Sequence, residues 1–167
     1  MDGRVHHQEY QGRTLTHTWV GAAAVVPSRV HALAFTADGR IVLVGGAPGD
    51  GGFWLPGGGI EAGESPEAAL RRELVEEAAA TLDAVRPLGS QRVDDPASGS
   101  TFHAIYWARV TLADAYVPQH EVTQRHLVRP HEFLAALSWG RESMAALLLG
   151  RALAIERELR VPSTPPQ

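Results

Sequence analysis

The chain predicts one α/β domain, a β-sheet covered by helices. Three features point there: two pairs of apolar strand-like runs, an amphipathic helix between them, and a long apolar helical stretch towards the C-terminus. A length of 167 residues with 44% hydrophobic content suits one domain with a sizeable core. The domain is expected over 14–160, behind a flexible polar arm at 1–13 and ahead of a disordered Pro-rich tail at 161–167.

In chain order, Leu15 to Val26 is β-prone and suits an extra strand before the main sheet. Val30 to Phe35 and Ile41 to Val44 flank Asp38-Gly39, a strong hairpin signal. Gly45 to Gly52 is a glycine-rich loop able to wrap a ligand or merely to connect. Phe53, Trp54 and Leu55 lead into Pro56 and Gly57-Gly58-Gly59, where small residues permit close backbone approach. Ser65 is a good N-cap, Pro66 suits the first helical position, and Glu67 favours the positive end of the helix dipole. Leu70, Leu74 and Ala78 form the apolar stripe of that helix.

Val85 to Val93 reads as a strand, 94–100 as a turn-rich connection, and Thr101 to Val110 as its partner strand. Alternation sets His103, Ile105, Trp107 and Arg109 on one face of the latter, against Phe102, Ala104, Tyr106 and Ala108. Trp107 and Arg109, with Trp54, are candidate substrate-binding side chains for stacking on a base and holding phosphate; core packing and surface exposure compete for the first two. A short strand follows over His126 to Val128. Helix then runs from Glu132 to Leu159, with a break near Trp139-Gly140. Its apolar content suits packing on the sheet and leaves room for a homodimer.

Charge is concentrated in one place. Glu61, Glu64, Glu67, Glu73, Glu76 and Glu77 against Arg71 and Arg72 leave a local charge of −4, the formal charge of the whole chain. Glu73, Glu76 and Glu77 share one helix face, where their mutual repulsion weakens an isolated helix and a hard cation would relieve it. A solvated face laced with ion pairs is the competing reading of those three residues with Arg72. The spacing around them decides. Gly58, five residues, Glu64, seven residues, then Arg72-Glu73-Leu74-x-Glu76-Glu77 form a long and specific motif.

This motif resembles the Nudix box, here Gly58 to Ala80, and the resemblance extends over about residues 29–160. It departs at Ala79, where the family carries a glycine, which leaves the helix exit open. The resemblance implies the Nudix fold, a mixed β-sheet sandwiched between α-helices. It implies hydrolysis of a nucleoside diphosphate linked to another moiety, with Mg²⁺ (or Mn²⁺) as cofactor. The substrate range stays open among ADP-ribose, nucleotide sugars, dinucleoside polyphosphates and nucleoside triphosphates; Pro96 is only a weak pointer to ADP-ribose. Glu73 and Glu77 are the expected principal metal ligands, with Glu76 and the Gly57 carbonyl beside them and Glu64 in an outer shell. Arg72 is expected to orient the carboxylates. Glu121 resembles the acidic loop residue that supplies another ligand or the general base; a box glutamate or the neighbouring His120 is the alternative. A nucleotide-sensing module that does not cleave is the competing function, disfavoured by the intact box carboxylates.

Other chemistries are excluded or unsupported. Without cysteine there is no disulfide, thiolate catalysis or Cys-based zinc site. HExxH, GxSxG and GxxxxGK motifs are absent, and the eight histidines are scattered along the sequence. No apolar run is long enough to span a bilayer, and no basic stripe marks a nucleic-acid surface. A soluble, cytoplasmic protein acting on a nucleotide-type small molecule is the expectation.

Overall fold

A computed structural model describes residues 4–46, 52–119 and 122–160. The described elements are β1 (Val5–Tyr10), β2 (Arg13–Gly21), β3 (Arg29–Phe35), β4 (Ile41–Gly45), β5 (Phe53–Trp54), β6 (Gly57–Gly59), α1 (Pro66–Ala78), β7 (Ala80–Asp95), β8 (Gly99–Leu112), β9 (Gln124–Val128), α2 (Phe133–Ala136) and α3 (Ser143–Arg160). The strands join in the order β1-β2-β7-β8-β3-β4-β5, with β6 added to β3 and β9 to β4. All pairings are antiparallel except β3 with β8, so the sheet is mixed.

Both faces of the sheet are buried, and period-two alternation along β3 shows how. Val30, Ala32 and Ala34 face α1, packing with Leu70, Leu74 and Ala78 of that helix. Leu33 and Phe35 face the other way, into a core shared with Phe133, Met144, Leu148 and Ala152 of α2 and α3. The fold is therefore an α/β sandwich of helix, sheet and helix.

The N-terminal segment departs from the flexible arm expected of it. Residues 5–10 pair along their whole length with 13–18 of β2, and β2 in turn joins β7. Gln11 and Gly12 form the turn with φ of 49° and 75°, the positive pair that a tight hairpin requires. Apolar alternation could not reveal this strand. Its one buried residue is His6, which stacks on His17 and on Trp139. Residues 161–167, expected to be a disordered tail, lie outside the described residues.

Candidate active site

The box helix begins and ends on identifiable devices. Ser65 Oγ accepts from the amide of Ala68 at 3.1 Å, and Pro66 occupies the first turn. At the far end Ala79 adopts the left-handed conformation itself (φ 48°, ψ 47°), and its amide donates to the carbonyls of Leu74 and Val75. The missing glycine has thus not altered the exit. Alanine holds the geometry at a cost of roughly 1 kcal/mol. Two side chains outside the helix serve its exposed carbonyls: Tyr116 Oη donates to Glu77 O at 3.1 Å, and Arg125 donates to Ala78 O at 2.9 Å. The guanidinium of Arg125 also lies 5.1 Å from the Tyr116 ring centre. A cation there complements the dipole of a helix that has no basic residue in its own last turn. Sequence reasoning missed both residues, since nothing in their local pattern marks them.

Arg72 is the hub of the acidic face. Its Nε and Nη2 bind the two oxygens of Glu64 at 3.0 and 3.1 Å, a bidentate fork. Nη1 reaches Glu73 at 2.9 Å and Glu76 at 3.4 Å, and Nη2 also donates to Gly59 O at 2.9 Å. Arg72 thus bonds to three carboxylates at once, and its pKa is raised further, chiefly by the bond to Glu64. Glu64 is correspondingly lowered, first by Arg72 and then by the amide of Glu61, which donates to it at 2.9 Å. With both oxygens engaged, Glu64 acts as the brace of Arg72.

The glycine segment is shaped by what lies against it. Gly57 has φ 147° in the left-handed half of the map, and a β-carbon there would strike Val30 O and His31. At Gly58 a β-carbon would overlap the Glu73 carboxylate. Gly57 N donates to Glu77 Oε2 at 2.8 Å, tying β6 directly to α1. Pairing of β6 with residues 29–31 of β3 fixes the segment from behind.

The structure gathers Gly57, Glu64, Arg72, Glu73, Glu76 and Glu77 into one site, and does not bring Trp107 or Arg109 there. Trp107 is 1% exposed, and its Nε1 donates to Glu156 Oε1 of α3 at 2.9 Å. Arg109 donates to the same oxygen at 2.7 Å and to Thr36 O at 2.7 Å. Both sit on the α3 face with their polar atoms committed to a buried carboxylate, so neither stacks on a base or holds phosphate. Trp54 is half-buried beside Val44. Glu121 and His120 lie outside the described residues, as do residues 47–51 of the glycine-rich loop. Four of the eight histidines gather in space: His6, His17, His31 and His103 approach one another on the α3 side.

The donor set of the acidic face is made of carboxylate and backbone carbonyl oxygens, the chemistry that suits a hard divalent cation. Among the described residues no three acidic or imidazole groups converge closely enough to cage an ion, because the Arg72 guanidinium holds Glu73 and Glu76. Repulsion among these carboxylates is thus relieved by an arginine in this arrangement.

Comparison with known proteins agrees with this geometry. The NUDIX domain profile matches residues 26–148. An RNA pyrophosphohydrolase of Gluconacetobacter diazotrophicus is 50% identical over 66 residues, a stretch covering 33% of this chain and 39% of that relative, so the match spans less than half of its length. Among solved structures, the Bacillus subtilis pyrophosphohydrolase superposes with a TM-score of 0.70 at 20% identity, covering 90% of this chain and 97% of its own. A NUDIX hydrolase from Nitrosomonas europaea gives 0.61 at 19% identity, over 77% and 90% of the two chains. The NUDIX domain of Shewanella oneidensis NrtR, solved with ADP ribose, gives 0.59 at 23% identity, over 81% and 90%. At such identities the likeness is one of fold. The profile match over most of the chain, on a mixed sheet whose glycine segment is bonded to the glutamates of the box helix, makes this protein a member of the Nudix family.

Proposed function

We propose that the protein is a Mg²⁺-dependent pyrophosphohydrolase that cleaves the phosphoanhydride of a nucleoside diphosphate linked to another moiety. The carrying observation is the tie between the Gly57 amide and Glu77, beside glutamates 73 and 76 held on the same helix face by Arg72. A pyrophosphate is anionic and repels hydroxide, so the reaction needs positive charge at the phosphate oxygens. Glu73, Glu76, Glu77 and the Gly57 carbonyl would hold Mg²⁺, which supplies that charge and acidifies the attacking water. Arg72 keeps the carboxylates aimed, and Glu64 keeps Arg72 from swinging onto the substrate. Glu121 is proposed as the general base, with the box glutamates as the alternative. The cytoplasm, where nucleotides and Mg²⁺ occur together, is the proposed setting.

The related RNA pyrophosphohydrolase adds RNA to the candidate substrates, beside ADP-ribose, nucleotide sugars, dinucleoside polyphosphates and nucleoside triphosphates. The test is product release from this panel with Mg²⁺, with EDTA, and with Glu77→Gln. Cleavage of one class, lost in EDTA and in the folded variant, is the expected result. Turnover in Glu77→Gln comparable to the parent would overturn the metal assignment. A panel left uncleaved, with nucleotide still raising the melting temperature, would replace the enzyme by a nucleotide-sensing module.

A further inference from the structure

On the α3 side of the sheet lies a cavity of about 990 Å³, near the upper end of what small-ligand pockets span. His6, His17, His31 and His103 all line it. The rings of His6 and His17 lie stacked with centroids 4.3 Å apart and 10° between planes, and His6 stacks on Trp139 at 5.6 Å and 6°. His103 meets His17 edge-on at 6.4 Å and His31 at 5.4 Å. Burial, the largest cause in each case, pushes His6 and His17 down to about 4 and His103 to about 3. The wall is thus an array of neutral aromatic rings at neutral pH.

Its polar atoms are incompletely used. His17 Nε2 pairs with Gln8 Oε1 at 3.1 Å, but His17 Nδ1, His6 Nδ1 and Gln91 Oε1 are buried without hydrogen-bond partners. Gln91 lies close enough to His17 to offset part of its shift, yet the pair falls short of hydrogen-bond geometry. All three residues line the cavity and are less than a tenth exposed. Unpaired polar atoms just behind a cavity wall leave its rings free to turn hydrogen-bonding edges toward an occupant. Glu9 and Asp95 also line it and disfavour an anion, whereas Arg29, its one cationic lining residue among those described, pairs in register with Gly59. Gly59 borders the cavity and accepts from Arg72, so it is shared with the acidic face. A planar, uncharged heteroaromatic ring fits the wall; a phosphate fits only the Arg29 end.

Two of the four histidines come from outside the segment that the family profile matches. β1 and β2, which carry His6, Gln8 and His17, precede the matched segment 26–148. We propose that the β1–β2 hairpin is a substrate-selecting element that makes the cavity a slot for the base of a nucleotide, whose phosphates pass Gly59 to the acidic helix face. The second half of this proposal rests on the pyrophosphohydrolase reading, and the first does not.

The test uses the full chain in EDTA, so that binding is read without turnover. AMP, GMP, CMP and UMP are compared with ribose 5-phosphate, by quenching of tryptophan fluorescence (Trp54 and Trp139 line the cavity) and by shifts of the histidine ring signals in NMR. At least one nucleotide is expected to bind tenfold or more tighter than the baseless sugar and to move the His6, His17 and His103 signals. His17→Ala should weaken that binding tenfold or more. His17→Phe, which keeps a ring but no nitrogen, should recover part of it. For whichever substrate is cleaved with Mg²⁺, an oligoribonucleotide included, His17→Ala should raise KM more than it lowers kcat. Equal binding of ribose 5-phosphate, or histidine signals unmoved in the unaltered protein, would overturn the proposal whatever the variants do. Base-dependent binding without cleavage would remove the enzyme and leave the slot standing. Cleavage indifferent to His17→Ala in a folded variant would remove the slot alone.

Discussion

At the scale of single residues, the site depends on contacts that leave no room for ordinary side chains. Gly58 faces the Glu73 carboxylate so closely that an added methyl group must displace it. Because the displaced atoms are the tip of a flexible side chain, Gly58→Ala should fold with a melting temperature near that of the parent. Turnover with the identified substrate should nevertheless fall at least tenfold, and more Mg²⁺ should be needed to reach half its maximum. Steady-state assays across a Mg²⁺ titration check this. Arg72 gives a second residue-scale expectation. Arg72→Lys keeps the charge but loses the fork that binds Glu64 through two nitrogens, so activity should drop well beyond what a conservative exchange implies. If lysine supports parental activity, the orienting role assigned to Arg72 is wrong.

Elements show how local chemistry and tertiary context divide the work. The box helix was legible from its ends: Ser65 and Pro66 start it where the sequence places the start, and the apolar stripe of Leu70, Leu74 and Ala78 is the buried one. Ala79 was legible as an anomaly but not in its outcome, since the partners of the exit carbonyls, Arg125 and Tyr116, lie far along the chain. Its strain is testable. Ala79→Gly should stabilise the protein by up to about 1 kcal/mol, read by urea unfolding, with turnover little changed. A collapse of turnover would mean that the helix exit shapes the site. The hairpin at Asp38-Gly39 was equally legible, because its signal is local. β1 was not, since a strand of mostly exposed polar residues gives no alternation, and its anchor is a ring stack with partners 11 and 133 residues away. Trp107 and Arg109 were placed on the correct face of β8. Which end of that face is covered by α3 and which by open cavity is a tertiary fact that alternation does not carry.

Across the whole molecule, the histidine-lined face makes stability depend on pH. The unfolded chain protonates His6, His17 and His103 near their ordinary value of 6.5, whereas the folded chain resists until about 4, 4 and 3. Between those limits the unfolded state binds more protons, so stability is full above 6.5 and falls as pH falls through the window. The carboxylates lowered in the folded state, such as Glu64 and Asp94, join only below about their ordinary values of 4.5 and 3.8. A loss of stability between pH 6.5 and 5 therefore belongs to the histidines. Urea midpoints should decrease steadily over that interval, and His17→Phe should flatten the slope. A midpoint constant from pH 7 to 5 would mean these rings protonate in the folded state as freely as in the unfolded one.

The parallel pairing of β3 with β8 also governs how the site comes into being. Arg29 lies opposite His103, 74 positions later, and β6 closes on the other edge of residues 29–31. Long loop closures of this kind slow folding, because chain entropy is lost before contacts reward it. The box helix and glycine segment are complete by residue 78, yet the second edge of their supporting strand, already paired with β4 and β6, stays open until β8 has been made. During synthesis the acidic helix should therefore exist for a time without a site. Its appearance should coincide with the last cooperative step of refolding, when β8 and β3 join the two halves of the sheet.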